Sequence, residues 1–329
     1  MTAIRLPLAL DAGLVLPASG QIAVFGPRAG QDISKLDRDR VEVISGFFPD
    51  HSYFAERGYG ARTGAGGRYG AALVCLPRAK ALAQVWIAQA AALTDGPVLV
   101  DGDKVDGVES LLKACRKRAA VAAPVSKAHG KLFWFAGGGP GFEDWLPAGP
   151  TRIEGGYHTA PGVFSADGID PASRLLAGAL PDKLGAHLAD LGAGWGYLSA
   201  QILARETVQS LDLVEADHAA LDCARLNVTD PRARFHWADA TGWRPEAALD
   251  AVVMNPPFHQ SRAADPGLGQ AFVAAAAGML KPAGRLWLVA NRHLPYEAAL
   301  AARFGECREI AGDNRFKVLM AARPARKSR

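Results

Sequence analysis

The chain has 329 residues, enough for about two domains that each bury a core. Its 49% hydrophobic and 21% charged residues are ordinary globular composition and exclude a disordered protein. A formal net charge of +4 permits a nucleic-acid partner without arguing for one. Four scattered cysteines, Cys75, Cys115, Cys223 and Cys307, form no CxxC pair. That excludes a zinc ribbon or disulfide framework, fits a reducing cytoplasm and leaves no metal to expect. The N-terminal apolar stretch is interrupted by Asp11 and does not read as a signal peptide, and no apolar run reaches the length of a membrane span. A soluble, cytoplasmic protein is expected. The tail from Arg323 to Arg329 carries four basic residues and no acid, as a frayed terminus or an RNA-touching segment would.

In chain order, the first half offers short apolar strands at QIAVFG (21–26), VEVIS (41–45) and ALVCL (72–76). A long alanine-rich helix (81–96) precedes strands PVLVDG (97–102) and KLFWFAG (131–137). The glycine runs TGAGGRYG and GGGPG do not stand between a strand and a helix, so they read as loops. The glycine- and proline-rich segment from Gly137 to Pro161 reads as the linker between a domain of residues 1–150 and one of residues 151–329.

Beyond it the alternation is sharper. Strand HLADLG runs into a glycine loop and helix YLSAQILARE; strand SLDLVE is followed by helix HAALDCARLNV. RFHWAD, LDAVVMN, GRLWLVAN and FKVLMAA complete the series. Strands alternating with helices predict a parallel sheet covered on both faces, with ligands at the carboxyl ends of the strands. The informative residues stand at those ends: Asp190, Glu215, Asp239 and Asn255.

Gly192, Gly194 and Gly196 let the chain turn tightly and bring backbone close to a ligand. Glu215 is placed to take both hydroxyls of a ribose, and Asp190 the charged amino group of a cofactor, directly or through water. Asp239 is placed either to accept from an adenine amine or to cap a helix. The loop lacks the GxGxxG register of nicotinamide enzymes, and strand four ends in Asn255-Pro256-Pro257-Phe258, for which hydride transfer has no use. Both features favour S-adenosylmethionine as cofactor.

Asn-Pro-Pro-Phe alone reads equally as a strand stopped by a rigid turn. In this context it suits methylation of an exocyclic amine, whose lone pair is delocalised into its ring. The Asn255 side-chain oxygen and the Pro256 carbonyl can accept the two N–H groups and aim the lone pair at the methyl. Phe258 offers a face for stacking a base that has left its helix. His259 reads as a loop histidine touching phosphate or solvent rather than a base.

The segments PGVFSADGIDPASRLLAGAL, DLGAGWG, NPPFH, LWLVANRHLPYE and NRFKVLMAA resemble the ribosomal RNA small subunit methyltransferase C family over residues 159–322. The resemblance implies methylation of the exocyclic N2 of a guanine in small-subunit (16S) ribosomal RNA, with that RNA or the small ribosomal subunit as partner. It also implies that Phe164 and Ser165 border the cofactor pocket and that Arg315 to Lys317 lie near the active face. Alternatives with the same chemistry are large-subunit guanine N2, RNA adenine N6 and protein glutamine. A non-enzymatic ribosome-assembly factor is the alternative of another class.

The first half repeats the order of the second in worn form. Val24 stands for Asp190, Arg28 for Gly194, Ser45 for Glu215 and Cys75 for Asn255. Sequence and resemblance together predict an α/β protein of two tandem Rossmann-like methyltransferase domains, the N-terminal one degenerate and kept as a scaffold or RNA-docking surface. Lys113, Arg116, Lys117 and Arg118 cluster on one predicted helix there, as a phosphate contact or a solvated face.

Overall fold

Two seven-stranded sheets with the same strand order make up the architecture of this computed structural model, which describes residues 2–257 and 266–325. The chain divides into two units, Met1–Gly149 and Pro150–Arg329.

The first unit contains α1 (Thr2–Asp11), β1 (Ile22–Phe25), β2 (Val41–Ile44), α2 (Phe48–Ala55), β3 (Gly60–Arg62), β4 (Ala71–Cys75), α3 (Lys80–Leu93), β5 (Pro97–Asp103), α4 (Val108–Cys115), β6 (Val125–Lys127) and β7 (Gly130–Ala136). Its sheet runs β3-β2-β1-β4-β5-β7-β6. The first five strands are parallel, and β7 is antiparallel to both β5 and β6. Strands β1 and β4 are buried along their whole length, so they read as unbroken apolar runs rather than alternating ones. Separate apolar clusters cover the two faces.

The second unit opens on a small hairpin of β8 (Thr151–Arg152) and β9 (His158–Thr159). It continues with α5 (Pro171–Ala179), β10 (His187–Leu191), α6 (Tyr197–Leu203), β11 (Ser210–Glu215), α7 (His218–Asn227), β12 (Ala233–Trp237), β13 (Leu249–Met254), α8 (Pro266–Met279), β14 (Leu280–Asn291), α9 (Tyr296–Ala301), β15 (Phe304–Gly312) and β16 (Phe316–Pro324). Its sheet order is β12-β11-β10-β13-β14-β16-β15, with β16 antiparallel to its neighbours. The order reverses beside β10, which opens a crevice at the carboxyl ends of β10 and β13.

Strand pairing confirms the internal repeat. Val24 pairs with Val43 and Leu73 as Asp190 pairs with Leu213 and Val253. Two residues further along each neighbouring strand, Ser45 answers to Glu215 and Cys75 to Asn255. The turns match too: Gly26 N–H donates to Ile44 O at 2.9 Å, and Gly192 N–H to Val214 O at 2.8 Å. This is the fold expected from the sequence: an α/β protein of two tandem Rossmann-like methyltransferase domains.

Strands β3, β6 and β15 and helix α1 have no counterpart in the sequence reading. Each strand lies at or next to a sheet edge and is largely exposed, so the apolar signal is weak. Helix α1 carries Pro7 inside it and buries Arg5 rather than a clean apolar stripe. No helix among the described residues is long and apolar enough to cross a membrane.

Candidate active site

Asp190 is fully buried near the end of β10, where the sequence of an interior strand would otherwise be apolar. Its Oδ2 accepts from the Ser199 hydroxyl on α6 at 2.7 Å, while Oδ1 has no partner among the described residues. Burial pushes the Asp190 carboxyl up to about 7, the Ser199 hydrogen bond opposes that, and nearby Glu215 adds to it. Glu215 ends β11, one strand over. Its Oε2 accepts from Gly194 N–H and its Oε1 from Asp217 N–H, each at 2.8 Å. Burial pushes its carboxyl, too, up to about 7, against those backbone donors. Two neighbouring carboxylates with no cationic side chain beside them among the described residues can receive positive charge and hydroxyl donors.

The glycine loop is shaped by these contacts. Gly194 lies at φ +55° with open space where a Cβ would project, so backbone can be approached closely there. Gly196 lies at φ +90°, and a Cβ there would meet Val228 Cγ2 at 2.9 Å. Between them Trp195 turns inward and is 3% exposed, packed with Val163, Ala220 and Cys223. Its Nε1 donates to Phe164 O at 2.9 Å, which ties the Val163–Ser165 turn to the glycine loop. Asn227 at the end of α7 completes the clamp: its side chain bonds both backbone groups of His158 and donates to Trp195 O at 2.8 Å. The bulky residue inside the loop is therefore its anchor. Phe164 itself is 59% exposed beside it, free to border a ligand.

Asp239 follows β12. Its Oδ1 accepts from Thr241 N–H at 2.8 Å and Thr241 Oγ1 at 2.7 Å, so this oxygen caps the next turn.

Asn255 follows β13 directly, with Pro256 buried behind it. Its Nδ2 donates to Asp170 Oδ2 at 2.9 Å and Ser173 Oγ at 2.8 Å. A carboxylate can only accept, so this contact fixes which end of the amide is nitrogen. A hydrogen bond to a charged group contributes about 1.5–3 kcal/mol, enough to hold that orientation. Oδ1 is thereby turned away from them, buried and, among the described residues, without a partner. Asp170 also caps α5 by accepting from Ser173 N–H at 2.8 Å. Asp170, Ser173 and Ser199 are absent from the sequence reading. Asp-Pro-x-Ser is a legible helix-start signal, but nothing in it points to a residue 85 positions away. The expected aromatic partner Phe258, with His259, lies outside the described residues.

At the far side, Phe316 pairs with Asn291, so the start of β16 stands at the carboxyl end of β14. Lys317 is 5% exposed and donates to Glu297 at 2.6 Å; the Arg315 guanidinium lies 5.1 Å from the Phe316 ring centroid. Among the described residues no group of three or more His, Cys, Asp or Glu is placed to hold a metal ion.

The equivalent place in the first unit is closed. Gln31 Nε2 donates to Cys75 Sγ at 3.1 Å and to Thr2 Oγ1 at 2.6 Å, and Thr2 donates to Asp101. Asp101 in turn takes buried Arg5 at 2.5 Å. Arg28 Nη2 reaches across the end of β4 to lie 3.5 Å from Asp106. Among the described residues, Asp190 Oδ1 and Asn255 Oδ1 have no counterpart here left without a partner.

A family model described as the methyltransferase small domain matches residues 154–320. Ribosomal RNA small subunit methyltransferase C of Shewanella amazonensis is 30% identical over 262 residues, covering 75% of each chain. The protein of that name from Chromohalobacter salexigens is 33% identical over 267 residues, covering 76% of this chain and 77% of its own. Among solved structures, a 16S rRNA N2 G1207 methyltransferase of T. thermophilus in complex with AdoMet and guanosine superposes with a TM-score of 0.78 at 28% identity. The match covers 94% of this chain and 90% of that one.

The unpartnered carboxylate makes a stability prediction. A folded value near 7 for Asp190, against 3.8 in the unfolded chain, means the folded state holds the proton longer. Asp190 therefore weakens the fold progressively as pH rises from about 4 to about 7, and no further above that. Asp190→Asn should be more stable than the parent at pH 8, with an advantage that shrinks steadily toward pH 4. Urea unfolding of both proteins across that range measures it; a difference independent of pH would count against the assignment.

Proposed function

Because the chain belongs to the ribosomal RNA small subunit methyltransferase C family, we propose that it transfers a methyl group from S-adenosylmethionine to the exocyclic N2 of a guanine in small-subunit ribosomal RNA. The observation that carries the reading is the Asn255 amide oxygen at the carboxyl end of β13, buried and without a partner among the described residues while the amide nitrogen is held by Asp170 and Ser173.

The residues fit that cofactor. Among the described residues Asp190 Oδ1 lacks a donor and the space over Gly194 is open, and Glu215 keeps lone pairs beyond its two backbone bonds. In this reading Asp190 holds the cofactor's amino group and Glu215 its ribose hydroxyls. Gly192, Gly194 and Gly196 allow the close backbone approach, the second Asp239 oxygen takes the adenine amine, and Phe164 borders the pocket. When bound, S-adenosylmethionine supplies an electrophilic methyl on a sulfonium that departs as a neutral thioether.

The chain's own task is to present the amine. Asn255 Oδ1 accepts one N–H of the guanine amine and Pro256 carbonyl accepts the other. Both contacts draw the nitrogen from planar toward tetrahedral and raise its lone pair for in-line attack. Phe258 stacks the base. Once the C–N bond has formed, the nitrogen sheds a proton to water. No strong base is required, because positioning and preorganised acceptors supply the acceleration.

The N-terminal domain is read as the RNA-docking half. Lys113, Arg116 and Lys117 are exposed, and they line a cleft beside α4 with Pro124, Lys131 and Glu109, the last two paired at 3.0 Å. Arg118 leaves that group. It is committed to Asp144 through two bonds of 2.6 and 2.8 Å and lies 4.7 Å from the centroid of the Trp145 ring. A basic cleft of this kind suits phosphates and carries no sequence information of its own.

Three outcomes test the proposal. Small-subunit particles from cells lacking the protein, incubated with it and S-adenosylmethionine, should gain N2-methylguanosine in nucleoside mass spectrometry. N6-methyladenosine as sole product would move it to another substrate class. Asn255→Ala should lower turnover by about 10²-fold while calorimetry shows cofactor affinity nearly unchanged. A fragment of residues 150–329 should bind S-adenosylmethionine yet methylate particles poorly; full activity from it would remove the docking role.

A further inference from the structure

We infer that Asp170 and Ser173 are positioning residues that act through Asn255, locking its amide so that only an oxygen faces the acceptor and only an N–H-bearing substrate is accepted. The inference rests on the amine-methylation reading above. An asparagine side chain is nearly symmetric in shape, and a free amide would present oxygen and nitrogen alternately. Here both amide protons are spent behind the residue, one on Asp170 Oδ2 at 2.9 Å and one on Ser173 Oγ at 2.8 Å. Turning the amide over would set its oxygen against a carboxylate oxygen and aim two donors at the incoming amine, which itself offers donors.

The acceptors come from one turn of one helix, and that turn organises itself. Asp170 stands at the N-cap of α5, Pro171 fixes the first helical position, and Ser173 N–H returns to the same Asp170 oxygen that holds Asn255. Ser173 is 7% exposed, so its hydroxyl is shielded from competing water. The start of α5 therefore serves both as a cap and as the rear wall of the amine site. Specificity for an amine over a hydroxyl or carbonyl follows from this geometry, because two acceptors are both satisfied by an NH2 group, whereas a hydroxyl leaves one unsatisfied and a carbonyl leaves both.

A role in helix capping alone must be separated from positioning, and the two caps serine and asparagine do so. Serine at 170 still caps α5 but is too short to keep the Asn255 contact; asparagine retains both the cap and the reach. With small-subunit particles as substrate, Asp170→Ser combined with Ser173→Ala should lower kcat by about 10²-fold, matching Asn255→Ala. KM and S-adenosylmethionine affinity should stay within about threefold, since the lost contact matters only when the amine is being reshaped. Asp170→Asn should recover most of the rate. Ser173→Ala alone, which leaves the cap in place, should show a smaller kcat loss and keeps the test open if the double variant does not fold.

A second readout needs neither cofactor nor RNA. The side-chain amide protons of Asn255, identified in 15N spectra by their loss in Asn255→Ala, should exchange slowly in the parent and rapidly in the double variant. Retained kcat with slow exchange in the folded double variant would overturn the inference, as would equal kcat losses in Asp170→Ser and Asp170→Asn. A parent protein that shows the slow exchange but adds no methyl to particles would instead overturn the functional reading and leave the amide lock standing.

Discussion

Burying Asp190 with no cation beside it among the described residues is the constraint on which the second unit turns. A buried polar atom left unsatisfied costs about 1–3 kcal/mol, and more if it is charged. At Asp190 that cost falls in the interior of a parallel sheet, where its neighbours in register are Leu213 and Val253. The rest of the crevice is built around the same deficit. Ser199 satisfies one oxygen, Glu215 brings a second carboxylate, and the loop between them turns on glycines held by Glu215 and by inward-facing Trp195. A ligand carrying an ammonium group and a diol would relieve what the protein alone leaves unrelieved. Folding stability and ligand affinity are in this way opposite faces of one electrostatic arrangement.

The first unit shows what the same backbone does without that deficit. Its strands pair in the same register and its first turn makes the same bond, yet the positions of chemistry hold Val24, Ser45 and Cys75. Side chains from α1 and the β1–β2 connection fill the remaining polar demand: Thr2, Gln31, Arg5 and Asp101 form one closed chain of hydrogen bonds and ion pairs. Burial pushes the Cys75 thiol up to about 12, so it stays a neutral, inert group. The first network has its partners within the fold; the second leaves Asp190 Oδ1 and Asn255 Oδ1 without one among the described residues, which makes it the candidate site.

The two units also differ in what they expose. Beside α4 the first presents Lys113, Arg116 and Lys117, which make no ion pair among the described residues, while Arg118 is drawn into the fold by Asp144 and Trp145. One basic run in the sequence thus separates into three solvent-facing charges and one structural one. The division depends on which face of the helix end meets the segment around Gly141.

Much of this was already legible in the sequence. Strand and helix alternation, the glycine loop, and acids at strand ends are local patterns, each readable over a few residues. They were sufficient to place Asp190, Glu215, Asp239 and Asn255 at one edge of a parallel sheet and to reveal the worn copy. Edge strands β3, β6 and β15 escaped because exposure on one side leaves little apolar periodicity to read. What only the tertiary structure decided is which polar atoms are satisfied. Asp239 caps a turn with one oxygen, Trp195 anchors the loop it interrupts, and Asn255 is gripped from behind by Asp170 and Ser173, 85 and 82 residues earlier in the chain. Hydrogen-bond partnership between distant segments depends on distance and angle in three dimensions. Neither residue type nor spacing encodes it, and it is this partnership that holds the Asn255 nitrogen and leaves its oxygen without a partner among the described residues.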